Sequence, residues 1–120
     1  MKAGPDDMAQ AIPALGDAVK AIEWGELCAA AITLAPGTDF APVLAQRPTG
    51  TCAVPHWGFV RSGALNIRYA DGETETVRAG ELYYMPAGHL VAVDEATAYV
   101  EFSPREQFTD LMTKLAAIVG

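Results

Sequence analysis

The sequence predicts an all-β protein: a small antiparallel β-barrel with an N-terminal arm and a C-terminal helix. Three observations lead there. Turn residues recur throughout, with 11 Gly and 8 Pro in 120 residues, which favours many short elements over a few long helices. Between the turns lie short apolar stretches at the regular spacing of a barrel or sandwich. Only the last stretch repeats its apolar residues with helical period. The length suits one domain, and 51% hydrophobic residues are enough for a core.

Residues 1–22 read as an arm or a short helix. Weak helical character around Asp6–Ile12 is interrupted by Pro13 and Gly16, because Pro lacks the backbone N–H that a helix interior needs. Residues 23–103 carry the barrel. Leu27–Leu34 is apolar and ends at the Pro36–Gly37 turn, and Phe40–Leu44 reads as a second short strand before Arg47–Pro48 and Thr49–Gly50. Thr51–Val54, Trp57–Arg61 and Ala64–Tyr69 follow. In the last of these, Leu65, Ile67 and Tyr69 alternate with Asn66, Arg68 and Ala70, the period of a strand with one wet face. Asp71–Gly72 is a hairpin signal. Glu73–Val77, Glu81–Met85, Leu90–Val93 and Ala98–Phe102 complete the series. Residues 104–120 read as an amphipathic helix. Ser103 can cap it, Pro104 suits its first position, and Glu106 stands where a capping box needs it. Phe108, Leu111, Met112, Leu115 and Val119 then form its apolar stripe.

Charge excludes several functions. The formal charge is −7, from 8 basic and 15 acidic residues, with no Lys/Arg cluster. Nucleic acid and anionic membrane surfaces are therefore not expected partners. The apolar run around Leu27–Ala35 is too short to cross a bilayer. Met1–Met8 has Lys, Gly, Pro and two Asp and no apolar core behind it, unlike a secretory leader. The expected compartment is the cytoplasm, with Cys28 and Cys52 as free thiols. No glycine-rich phosphate loop and no G-x-S-x-G occurs.

The chain has two histidines, His56 and His89, each beside a Pro/Gly turn. Cys52 precedes His56 by four residues, and in an extended strand residues four apart share a face. A third ligand from a neighbouring strand would complete a three-residue site with an open position, the pattern of catalytic zinc. Thiolate with imidazole favours zinc over magnesium or calcium. The plainer alternatives are a buried Cys acting as a small hydrophobe and a His hydrogen-bonded at the surface.

Two stretches resemble the motifs of the cupin family. Gly80-Glu81-Leu82-Tyr83-Tyr84-Met85-Pro86-Ala87-Gly88-His89 resembles the second motif, and Cys52–Gly63 resembles the first. With Gly63 as anchor, His56 stands where the family has its metal-binding Glu. Cys52 then stands at the family's second His and Gly50 at its first. In the second motif Val91 occupies the usual His position, and His89 lies two residues earlier with the same strand parity. The resemblance spans roughly Leu27–Phe102 and implies a double-stranded β-helix. The family's three-His-one-Glu site is not present, so the implied substitute is Cys52, His56 and His89. Zinc is the expected metal. The alternatives are iron, which would bring the oxygen chemistry of the superfamily's dioxygenases, or no metal, as in members that have lost it.

Glu101 and Tyr69 are the expected catalytic side chains. If Val100 and Phe102 pack outward, Glu101 faces the barrel interior; otherwise it is a strand-end carboxylate in water. Tyr69 lies on the apolar face of its strand. Of Tyr83 and Tyr84, strand alternation lets only one face inward. Trp57 and Phe59 share the face opposite His56 and suit a subunit interface, or else packing within the monomer. A homodimer is expected, because a small barrel cannot easily cover the arm, the helix and this face alone. Two functions follow. One is a non-redox metalloenzyme of isomerase, cyclase, lyase or hydrolase type acting on a small organic substrate. The other is a metal-free barrel that binds or senses a small ligand.

Overall fold

The computed structural model describes residues 1–119; Gly120, the last residue of the predicted helix, lies outside the described residues. Nine strands form two antiparallel sheets that face each other. The strands are β1 (Ala9–Gln10), β2 (Val19–Trp24), β3 (Leu27–Leu34), β4 (His56–Ser62), β5 (Ala64–Tyr69), β6 (Thr74–Arg78), β7 (Leu82–Met85), β8 (His89–Ala92) and β9 (Thr97–Pro104). The larger sheet has the order β1-β2-β3-β9-β4-β7, and the smaller has β6-β5-β8. Among the described residues there are also two α-helices, α1 (Ala41–Leu44) and α2 (Arg105–Val119), and two 3-10 segments in the arm, Pro5–Asp7 and Pro13–Ala18. Among the described residues, no helix is long and apolar enough to cross a membrane.

Alternation decides which side chains enter the core. On β9, Thr97, Tyr99, Glu101 and Ser103 are buried between the sheets, while Phe102 points outward. Val60, Leu65, Ile67 and Met85 meet them from β4, β5 and β7. At the β5–β6 hairpin, Asp71 Oδ1 accepts from the Glu73 N–H at 2.9 Å, and Gly72 takes a φ of 91°, which costs little only for glycine. Gly58 is required for a different reason. It pairs with Tyr83, and a Cβ there would overlap the Tyr83 ring and the Val100 carbonyl oxygen.

Four local expectations are corrected. Strand β2 begins at Val19, within the stretch read as arm; Lys20 shares a face with Ile22 and Trp24, and the exposed Glu23 shares the other with Val19 and Ala21, so no polar alternation marks it. Phe40–Leu44 holds the single helical turn α1 instead of a strand. Asp39 Oδ1 accepts from the Ala41 N–H at 2.9 Å, and Pro42 suits a first turn. Thr51–Val54 forms no strand; Cys52 makes one isolated bridge to His89. Ser103 does not cap α2. It stays in β9, fully buried, and its hydroxyl lies 2.6 Å from His56 Nδ1.

The predicted stripe of α2 closes one end of the barrel. Phe108, Leu111 and Leu115 are buried. Leu111 and Leu115 pack with Ile12, Leu44, Cys52 and Val54, which ties helix, arm and α1 into one apolar lid.

Candidate metal centre

The site lies between the sheets, beneath α2. His56 is the first residue of β4 and points inward because the outward position goes to Trp57. His89 opens β8 after the Pro86–Gly88 turn. Cys52 reaches it through backbone pairing: the Cys52 N–H donates to the His89 carbonyl at 2.9 Å, and the Gly88 N–H donates to the Cys52 carbonyl at 2.8 Å. Cys52 and His56 therefore share the cavity without sharing a strand, and the bridge to His89 does what strand parity was expected to do.

Cys52 Sγ and one ring nitrogen from each of His56 and His89 all lie within 4.8 Å of one another. Cys52 Sγ is 3.5 Å from His56 Nε2. Two ligands on a tetrahedral zinc, at Zn–S and Zn–N bond lengths of about 2.3 and 2.0 Å, stand about 3.5 Å apart. The other ring nitrogens are already engaged. His89 Nδ1–H donates to the Pro86 carbonyl at 2.8 Å, which leaves its Nε2 lone pair free. His56 Nδ1 faces Ser103 Oγ at 2.6 Å and Glu101 Oε2 at 3.5 Å. Such outer partners fix the tautomer and orient a ligating imidazole. All three residues are buried, and the two imidazole rings meet edge-on with centroids 5.0 Å apart. These residues fit a metal ion in donor type and spacing, and His89 also in tautomer.

Electrostatics points the same way. Burial lowers the His56 pKa to about 4 and also lowers that of His89, so both imidazoles are neutral and ready to ligate at pH 7. The His56–Glu101 contact is then a polar contact of a neutral ring, not an ion pair. Burial pushes the Cys52 thiol up to about 11, against a smaller opposing effect from the Val54 backbone. Without a cation this thiol stays protonated, so a metal-free nucleophilic Cys–His pair has no support.

Glu101 is 5% exposed and faces the interior, the inward one of its two sequence readings. Burial raises its pKa to about 7, although the Tyr83 hydroxyl donates to its Oε1 at 2.7 Å and works in the opposite direction. It faces His56 Nδ1 at 3.5 Å, lines the cavity and is not one of the three grouped donors. Tyr69 is placed elsewhere. Its hydroxyl donates to Glu75 Oε2 at 3.0 Å beside a surface groove, outside the lining of the cavity. Tyr83, the inward member of its pair, reaches Glu101 instead. Ser103 and Tyr99 also belong to the site and were not singled out from sequence. Inward parity with Glu101 on β9 was the signal that could have found them.

The cavity measures about 80 Å³. Its polar side chains are Cys52, His56, His89, Tyr99 and Glu101, and the rest of its lining is apolar.

No protein-family model matches the chain, and no curated protein matches it. Solved structures do. A Rhizobium leguminosarum protein of unknown function superposes with a TM-score of 0.59 at 23% identity, covering 87% of this chain and 98% of its own. An uncharacterized Klebsiella pneumoniae protein with a double-stranded β-helix domain gives 0.54 at 15% identity, over 72% of this chain and 74% of that one. A putative ethanolamine utilization protein Q of Salmonella typhimurium gives 0.53 at 15% identity, over 72% and 68%. At these identities the likeness shows the fold, a double-stranded β-helix.

Proposed function

We propose that this cupin-type double-stranded β-helix holds a zinc ion on Cys52 Sγ, His56 Nε2 and His89 Nε2, and works on a small organic molecule as a non-redox metalloenzyme. The observation that carries the reading is the 3.5 Å separation of Cys52 Sγ and His56 Nε2, the spacing of tetrahedral zinc ligands, with the outer nitrogens of both histidines already bonded elsewhere. Bound zinc would polarise a carbonyl or lower the pKa of a water, which suits isomerase, cyclase, lyase or hydrolase chemistry. The chain's own part is to shape and dry the cavity with α2 and to hold a proton on Glu101. A carboxyl with a pKa of about 7 can give and take a proton near neutrality. The Tyr83 hydroxyl pins its Oε1 and leaves Oε2 as the exchanging atom.

The test is elemental analysis of tag-free protein grown with zinc. One zinc per chain, lost in Cys52→Ala, is expected. No stoichiometric metal in the parent would end the reading. The apolar lining favours one second reading, a metal-free barrel that binds or senses a small ligand; a protein that binds ligand without metal would establish it.

The reading includes a homodimer in the cytoplasm. Trp57, Phe59, Leu82, Tyr84 and Phe102 are all exposed on the outer face of neighbouring strands β9, β4 and β7. Trp57 stands in register with both Tyr84 and Phe102, and Phe59 with Leu82. An apolar face of this kind supports a second copy as its cover. Two free cysteines, Cys28 and Cys52, fit a reducing compartment.

A further inference from the structure

The cavity has two unlike halves. Its floor holds the polar groups, and its roof is Phe108, Leu111, Met112 and Leu115 of α2. No Lys or Arg lines it. The floor's hydrogen-bonding capacity is largely used within the protein. His56 Nδ1 is taken by Ser103, His89 Nδ1 by the Pro86 carbonyl, and Glu101 Oε1 by Tyr83. What remains for a ligand is this polar floor, where Cys52 Sγ and the inner nitrogens of the two imidazoles converge and to which Glu101 Oε2 and the Tyr99 hydroxyl also belong. A hydroxyl or phosphate oxygen elsewhere on the ligand would be buried against α2 without a partner, at a large desolvation cost. A second anionic group would meet no cationic side chain. The room is also small: at about 80 Å³ it is roughly half of an apolar cavity of about 150 Å³ that accepts benzene.

We infer that the ligand is a short aliphatic molecule of about three to five non-hydrogen atoms carrying a single uncharged oxygen group at one end — an alcohol, aldehyde or ketone — and not a sugar, a phosphate ester or a polycarboxylate. The oxygen seats on the floor and the chain lies under α2. The inference rests on the zinc reading only for what the oxygen touches; the ligand class comes from the lining.

Met85 and Met112 line the cavity, whereas Met1 and Met8 do not. Protein labelled with carbon-13 at the methionine methyls therefore reports occupancy and carries its own controls. Butanone, glycerol and succinate are titrated into zinc-loaded and into chelator-treated protein. Butanone should shift the Met85 and Met112 methyls saturably, with half-saturation near millimolar as suits so small a ligand, and leave Met1 and Met8 in place. Nuclear Overhauser contacts should run from butanone protons to the two cavity methyls. Glycerol and succinate should bind at least tenfold more weakly. The inference is overturned if glycerol or succinate binds as tightly as butanone. It is also overturned if butanone moves neither cavity methyl in either form of the protein. Zinc content measured on the same samples separates the two claims. Zinc without butanone binding sinks this inference alone, and butanone binding without zinc sinks the metal reading alone.

Discussion

Zinc affinity should rise tenfold per pH unit between pH 7.5 and 8.5, and the thiol of Cys52 is the reason. A metal site gains affinity with pH only while a ligand must lose a proton to bind. The His56 pKa is lowered to about 4 and that of His89 is also lowered, so neither imidazole holds an extra proton in this window. Glu101, at about 7, is mostly ionised by its lower end. The Cys52 thiol, at about 11, is protonated throughout. Each zinc bound therefore releases one thiol proton, and the binding free energy changes by about 1.4 kcal/mol per pH unit. Sequence alone predicts that affinity falls as pH drops below about 6, because thiolate and imidazole must both be deprotonated to bind; burial of both rings leaves the thiol as the ligand that loses a proton in the higher window. The assay is competition against a chromophoric chelator of known pH behaviour, with proton release counted by an indicator dye in weak buffer. The expected slope of log K against pH is 1, with one proton released per zinc. In Cys52→His the slope should vanish while some affinity remains. A parent protein whose log K is flat across this window would refute the assignment of the thiol as ligand.

Metal-free protein offers a second pH test. His56 is depressed from 6.5 to about 4, so its contribution to stability is present above pH 6.5 and lost as pH falls toward 4. Glu101 is raised from 4.5 to about 7, so its contribution is present below 4.5 and lost as pH rises through 7. His56 and Glu101 oppose each other between about pH 4.5 and 6.5, and the lowered His89 adds to the His56 side, so urea unfolding of the parent should show a stability that rises only gently there. Glu101→Gln should unmask the histidines, with stability climbing by at least about 3 kcal/mol from pH 4 to 6.5; a level profile in the variant would count against a buried neutral His56. Gly58→Ala should cost about 1–3 kcal/mol, because its methyl meets the Tyr83 ring and the rigid Val100 carbonyl. Calorimetry should show Tm falling by several degrees, and an unchanged Tm would mean that the two strands separate easily. Light scattering should give twice 12.7 kDa for the parent and a monomer for Trp57→Lys combined with Leu82→Lys; a monomeric parent would remove the dimer.

Much of the barrel is legible in the sequence. Ala64–Tyr69 stands out with the bounds it has as β5, because its two faces differ in polarity and the Asp71–Gly72 turn closes it. The stripe of α2 was legible because 3.6-residue periodicity is itself a local property. Elements without such local contrast were misread. Strand β2 is hidden because it mixes polar and apolar residues on both faces, and α1 looks like a strand because four apolar residues carry no period of their own.

The candidate site divides along the same line. Sequence determined which residue types were available: one Cys four residues before one of only two histidines, within a framework of glycines and prolines that resembles a known pair of motifs. Tertiary structure decided which atoms face each other. The Cys52–His89 bridge, the turn of Ser103 from helix cap to partner of His56, the inward placement of Glu101 and the choice of Tyr83 over Tyr69 all depend on the register of strands distant in sequence. A one-residue slip of β9 would turn Glu101 outward and bring Phe102 in. Register is set by the summed burial of every side chain on both faces, so no local window of the sequence contains it.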